Sequence, residues 1–299
     1  MADGLGGPVV VGIDGSDPAL EAVRWAAHEA AGREVPLRIV EAVAWTSSRP
    51  VGMSAPGQER LREICERVGR EHLAAAAELA REIAPGVEME REVLVGGTVR
   101  GALRLETRRA GMLVLASRGR GGFAGLRLGS VVLGVASGAE CPVVAVRPTS
   151  DADGPVVLGV EAGAGPEPAV DLAFEEAARR KAPLVAVHAW IDAVLDPFLT
   201  PHVDWPGVRD EQDKAVADRL AGWTGTRPEV PVEIVVVPDA ASRELVSRSA
   251  GAALVVVGSR GRSPWANALL GSVSQVVLQH AECPVALVPP VADVEDAQR

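Results

Sequence analysis

Two glycine-bearing segments hold the residues best suited to chemistry. In the second, an apolar run from Leu254 to Val257 breaks into Gly258-Ser259-Arg260-Gly261 and, after nine residues, into Gly271-Ser272-Val273. The run predicts a buried strand. Glycines let the backbone visit positive φ and approach a ligand closely. Gly271-Ser272 opens an amphipathic segment that ends at His280, with Ser272 placed to cap the helix. Free backbone N–H groups at a glycine turn and a helix start form an anion cradle. Arg260 and Arg262 flank it and supply charge suited to phosphate. The chemistry predicted is the binding of nucleotide phosphates.

The same arrangement occurs earlier in the chain. Leu113 to Leu115 leads into Ala116-Ser117-Arg118-Gly119-Arg120, and the second element is Gly129-Ser130-Val131. Gly119 and Gly261, Gly129 and Gly271, and Cys141 and Cys283 are each 142 residues apart. The N-terminal parts also match, 147 residues apart: Val11-Gly12-Ile13-Asp14 against Leu158-Gly159-Val160-Glu161. The chain is therefore read as a tandem duplication, with domains over 8–148 and 155–289 joined by a polar Ser-Asp-Ala-Asp-Gly linker.

Each half needs elements to position these segments. In the first half, strands are predicted over 8–13, 37–43, 87–95, 112–116 and 142–146, and helices from Asp17-Pro18 and over 59–84, 98–110 and 130–139. The charged third strand is expected at an edge. The second half repeats the order, with strands over 156–160, 184–189, 232–237, 253–257 and 284–288. Its helices fall near 168–181, 209–223, 241–250 and 272–281. Loops are expected from Trp45 to Gly57 and from Ile191 to Val208. Alternating strands and helices predict an α/β fold: two tandem doubly wound domains, each a five-stranded parallel sheet with helices on both faces. Ligands of such sheets sit at the carboxyl ends of strands where the strand order reverses. Asp14 and Ala116 would both open on that crevice. Asp14 is read as a ligand contact; its structural alternative is to cap the following helix, a role for which Asp17 competes.

Composition narrows the function. A net charge of −10 argues against a nucleic-acid surface. No apolar run reaches the ~20 residues of a membrane span, and the N-terminal residues lack the basic-then-apolar pattern of a secretory leader. Three cysteines imply no disulfide framework, so a reducing cytoplasm is expected. His28, His72, His188, His202 and His280 form no ligand-spaced set, so no metal site is predicted. No Gly-x-Ser-x-Gly elbow appears and no lysine follows the glycine loops, so fast phosphoryl transfer lacks its usual parts and no catalytic residue is assigned.

The paired glycine loops resemble those of the universal stress protein family in its tandem, ATP-binding form. The family's mark is Gly, two residues, Gly, nine residues, Gly-Ser or Gly-Thr. Gly258, Gly261, Gly271 and Ser272 match it fully; in the first half Ala116 replaces the first glycine. The resemblance implies ATP or another adenine nucleotide in each domain, possible involvement of Mg²⁺, and homodimerisation. It places Asp14 at the base or ribose end of the site, where Glu161 departs by one methylene. Ala42 and Ala189 would line the adenine slot. Ala116 is expected to cost roughly 1–2 kcal/mol if its position requires positive φ, so the halves are expected to bind with unequal affinity. Two other functions are considered: an adenylating or slowly ATP-hydrolysing enzyme, and a scaffold of the same fold that binds no nucleotide. The loops Asp14-Gly15-Ser16 and Glu161-Ala162-Gly163 lack the Ser-Gly-Gly or His-x-Gly-His signatures of the related hydrolases.

Overall fold

A computed structural model of the protein describes residues 6–45, 55–119, 128–147, 153–163, 168–190, 205–238, 240–259 and 270–290. The chain divides into two compact units at the Pro148–Thr149 junction. The first contains β1 (Val9–Ile13), α1 (Asp17–Arg33), β2 (Leu37–Val43), α2 (Ala55–Ile83), β3 (Met89–Val95), α3 (Val99–Glu106), β4 (Met112–Ala116), α4 (Ser130–Ala136) and β5 (Val143–Val146). The second contains β6 (Val156–Gly159), α5 (Pro168–Arg180), β7 (Leu184–Ala189), α6 (Trp205–Thr226), β8 (Val232–Val237), α7 (Ala241–Arg248), β9 (Leu254–Gly258), α8 (Ser272–His280) and β10 (Val285–Val288).

Within the first unit the strand order is β3-β2-β1-β4-β5, and every pairing is parallel. The second unit has the matching order β8-β7-β6-β9-β10, again parallel throughout. This is the predicted α/β class. The inner strands are continuous aliphatic runs because helices cover both faces of each sheet. Val9–Val11, Met112–Leu115, Val156–Leu158 and Leu254–Val257 are all buried. β3 lies at an edge, and its Glu90, Arg91 and Glu92 are exposed. Cys141 and Cys283 are buried at the entries to β5 and β10. Burial pushes the Cys141 thiol up to about 12, which keeps it a neutral apolar filler.

Several boundaries differ from the sequence reading. The third strand starts at Met89 rather than residue 87, and the helix expected over 98–110 stops at Glu106. α2 and α6 begin earlier than expected, at Ala55 and Trp205. Each opens on a residue followed by proline, Pro56 and Pro206. Proline is tolerated in a first turn because its missing N–H has no intrahelical partner there. The remaining parts of those two loops, 46–54 and 191–204, lie outside the described residues.

The duplication extends to single side chains. Glu34 and Lys181, 147 residues apart, end α1 and α5 at φ 55° and 54°. Thr107 and Ser249 accept from the backbone N–H of Glu140 and Glu282 at 3.1 and 2.9 Å. Gly12 and Gly159 face the same helix in their units, but not equally tightly. A β-carbon at Gly12 would lie 2.6 Å from Leu115 Cδ2 and 3.1 Å from Leu103 Cδ2. One at Gly159 would lie 3.1 Å from both Leu245 and Val257. Overpacking costs about 1–3 kcal/mol where neighbours cannot move. Gly12→Ala is therefore expected to cost about 2 kcal/mol and Gly159→Ala about half that. Thermal melts of the two variants check the order; equal losses would contradict it.

Candidate functional site

Strand order reverses between β1 and β4, so their carboxyl ends flank a crevice. Asp14 follows β1, and Ser117-Arg118-Gly119 follows β4. The Asp14 carboxylate is fixed from its own loop: its Oδ1 accepts from Ser16 Oγ at 2.5 Å and from Ser16 N at 3.1 Å. Ser16 in turn caps α1, accepting from Ala19 N at 3.4 Å. The capping role thus falls to neither Asp14 nor Asp17; Asp17 is the first helical residue. The other Asp14 oxygen meets the opposite loop, since a β-carbon at Gly119 would lie 2.5 Å from Oδ2. Only a glycine at 119 lets the two loops close on this distance.

The glycine loop is tied at its neck. Ser117 is buried, its N–H donates to Val146 O at 2.8 Å, and its carbonyl accepts from Gly129 N at 2.7 Å. The second unit does the same: Ser259 N donates to Val288 O at 2.7 Å and Gly271 N to Ser259 O at 3.0 Å. The amides of Gly129 and Gly271 are therefore spent on closing the loops. They are not available to a ligand, contrary to the simple reading of free N–H groups at the glycines. Gly129 and Gly271 are themselves the N-cap residues of α4 and α8, with no side-chain cap. This corrects the expectation that Ser272 caps its helix. Ser130 and Ser272 are the first helical residues, exposed, and Val131 and Val273 follow half-buried. Ser274, not Ser272, reaches back, donating to Gly258 O at 2.6 Å.

Ala116 resolves the question of strain. It is the last residue of β4, paired with Val146, as Gly258 is the last of β9, paired with Val288. Among the described residues the only non-glycines at positive φ are Glu34 and Lys181. Alanine at 116 carries no backbone penalty, and the expected weakening of the first site on that ground is withdrawn. Arg118 and Gly119 are exposed at the crevice. Gly12 and Gly159 are packed under it, against leucines of α3 and α7. Ala42 and Ala189 lie at the carboxyl ends of β2 and β7, half-buried, opposite Leu94 and Val237. Arg120, Arg260, Gly261 and Arg262 lie outside the described residues.

Three participants escaped the sequence reading. In the first unit His72 of α2 reaches over the loop after Asp14, and its Nδ1 meets Glu41 Oε2 at 2.9 Å. A β-carbon at Gly15, whose φ is +74°, would lie 2.5 Å from the His72 ring. In the second unit Glu161 is exposed, and its carbonyl and that of Gly163 accept from Arg219 of α6. No short motif marks these pairs, because their members lie dozens of residues apart.

A parallel sheet that reverses its strand order at one switch point, built twice, defines a tandem α/β protein of the doubly wound class. The model of the Universal stress protein family matches residues 7–147 and 154–289. The chain belongs to the universal stress protein family. Universal stress protein Rv2623 of Mycobacterium tuberculosis is 36% identical over 288 residues, covering 93% of this chain and 94% of the relative. Universal stress protein Mb2028c of Mycobacterium bovis is 40% identical over 287 residues, covering 93% and 95%. A crystal structure of a universal stress protein from Archaeoglobus fulgidus superposes with a TM-score of 0.68 at 15% identity, covering 94% of this chain and 98% of that one. Among the described residues no helix is long and apolar enough to cross a membrane.

Proposed function

We propose that the protein binds an adenine nucleotide, ATP foremost, in each unit, and acts in a stress response through nucleotide-dependent conformation or assembly rather than rapid chemistry. The observation that carries this reading is the contact between the Asp14 carboxylate and bare Gly119 across the switch point. It joins an acceptor suited to ribose or base hydroxyl and amino groups to an exposed glycine, whose bare backbone a phosphate can approach closely. The glycine at 119 fits such a group, since any side chain would fill the space beside Asp14. The first turns of the helices after Gly129 and Gly271 contribute uncapped N–H groups on the same side. A Mg²⁺ ion accompanying the phosphates would be held chiefly by the nucleotide's own oxygens and water. Cytoplasmic location and homodimerisation belong to the same proposal. So does the absence of rapid turnover, since no lysine is placed on the loops.

Mass spectrometry of freshly purified, denatured protein tests the reading. Released ATP, ADP or AMP supports it, together with calorimetric binding of ATP at micromolar to millimolar concentrations. No released nucleotide and no heat would leave a scaffold of the same fold. Product formation far above background would instead favour an enzyme.

A further inference from the structure

We propose that His72 reads the base in the first crevice, its Nε2 accepting a hydrogen bond from the 6-amino group of adenine and so rejecting 6-oxopurines. The proposal rests on the nucleotide reading above and deepens it. Glu41 stands near the carboxyl end of β2, next to Ala42, and holds His72 Nδ1 at 2.9 Å from Oε2 and 3.1 Å from Oε1. A carboxylate only accepts, so Nδ1 carries the hydrogen and Nε2 of the neutral ring presents a lone pair. A β-carbon on Gly15 would be 2.5 Å from Cε1, 2.5 Å from Nε2 and 2.7 Å from Cδ2. A point almost equidistant from these three atoms lies over the face of the ring, not along its edge. The imidazole is therefore laid flat on Gly15, and the Nε2 lone pair, which lies in the ring plane, is not aimed at that residue. Among the described residues Nε2 has no hydrogen-bond partner, and the His72 side chain retains 21% of its surface exposed beside the residue next to Asp14.

The second unit lacks this device. The residue 147 positions after Glu41, at the same register on its strand, is His188. Its ring is buried and both nitrogens are committed, Nδ1 to Val160 O at 2.9 Å and Nε2 to Gln212 Oε1 at 3.1 Å. It has no free edge to offer a base. The two crevices should therefore share a phosphate-binding frame and differ in how they treat the purine 6-position.

Photo-crosslinking of the full chain with 8-azido-ATP, followed by peptide mapping, reads each unit separately. ATP and inosine triphosphate, which carries oxygen at the 6-position, serve as competitors. In the wild type ATP is expected to protect first-unit peptides at about tenfold lower concentration than inosine triphosphate, the worth of one hydrogen bond. His72→Ala should bring the two competitors within about twofold in the first unit and leave the second unit unchanged. His72→Gln, whose amide can turn its oxygen to the 6-amino group or its NH2 to a 6-oxo group, should likewise lose the preference while keeping a polar side chain at the site. A first-unit preference that survives His72→Ala, or that is absent in the wild type, overturns the proposal while the nucleotide reading stands. No labelling of either unit removes the nucleotide reading and the proposal together.

Discussion

Arg38→Met is expected to destabilise the first unit by about 3 kcal/mol, which lowers its melting temperature by about 9 °C. Arg38 sits on β2 inside an apolar strand and is buried. Its Nε donates to Glu106 Oε2 at 2.8 Å, its Nη1 to Glu90 at 3.2 Å and its Nη2 to Glu92. Glu106 is equally buried and also accepts from Arg109 at 2.5 Å. Removing one member strands a buried charge, which typically costs 3–5 kcal/mol; Arg109 keeps the loss near the lower figure. Replacing both members by apolar residues, Arg38→Val with Glu106→Leu, should be close to neutral. The second unit already has an apolar solution on its strand: Val185 stands 147 residues after Arg38 and is buried. Chemical denaturation of the singles and the double checks this; a double variant worse than either single would contradict it.

The same network sets a pH dependence. Burial alone would raise the Glu106 pKa, but hydrogen bonds and charge from Arg38 and Arg109 outweigh it and hold the carboxyl below its ordinary value. A depressed carboxylate stabilises the fold above its unfolded pKa, and the contribution is lost as pH falls through the folded pKa. The stability gap between wild type and Glu106→Gln should thus be full at neutral pH and close as the pH drops below about 4.5. A gap that widens with acid would contradict the assignment.

Gly119→Val is expected to weaken nucleotide binding in the first unit by about thirtyfold and to leave the second unit unaltered. The new β-carbon would press on Asp14 Oδ2, 2.5 Å away. The carboxylate cannot simply turn aside, because Ser16 Oγ holds its other oxygen at 2.5 Å and Ser16 caps α1. Overpacking of a held group costs about 1–3 kcal/mol, or roughly tenfold to a hundredfold in affinity when the bound state requires the original geometry. The extra valine methyls also cover backbone the phosphates would approach. Site-resolved crosslinking measures the loss, and undiminished first-unit labelling would show that Gly119 is not at the ligand.

Legibility followed the range of the interactions. Continuous aliphatic runs announced the inner strands, and the charged run at Glu90-Arg91-Glu92 announced the edge, because burial on two faces or one is a local property of a strand. The duplication was visible because two glycine loops kept one spacing. The helix starts at Ala55-Pro56 and Trp205-Pro206 look like loop from residue types alone, since proline signals either a turn or a first helical turn. The fate of Ala116 turned on a φ angle that residue identity does not carry. Neither the Arg38–Glu106 pair nor the Glu41–His72 pair could be found by spacing, because each is made by elements that meet only in the folded sheet. The candidate loops were legible; the side chains that lean over them from α2 and α6 were not.

Native mass spectrometry of the full chain in millimolar Mg-ATP counts bound nucleotides directly. Two per chain are predicted for the wild type; as ATP is diluted, Gly119→Val should fall to one nucleotide at about thirtyfold higher ATP than the wild type does. A chain that carries none, or one that loses both nucleotides through that single substitution, would contradict two crevices each cradling a nucleotide.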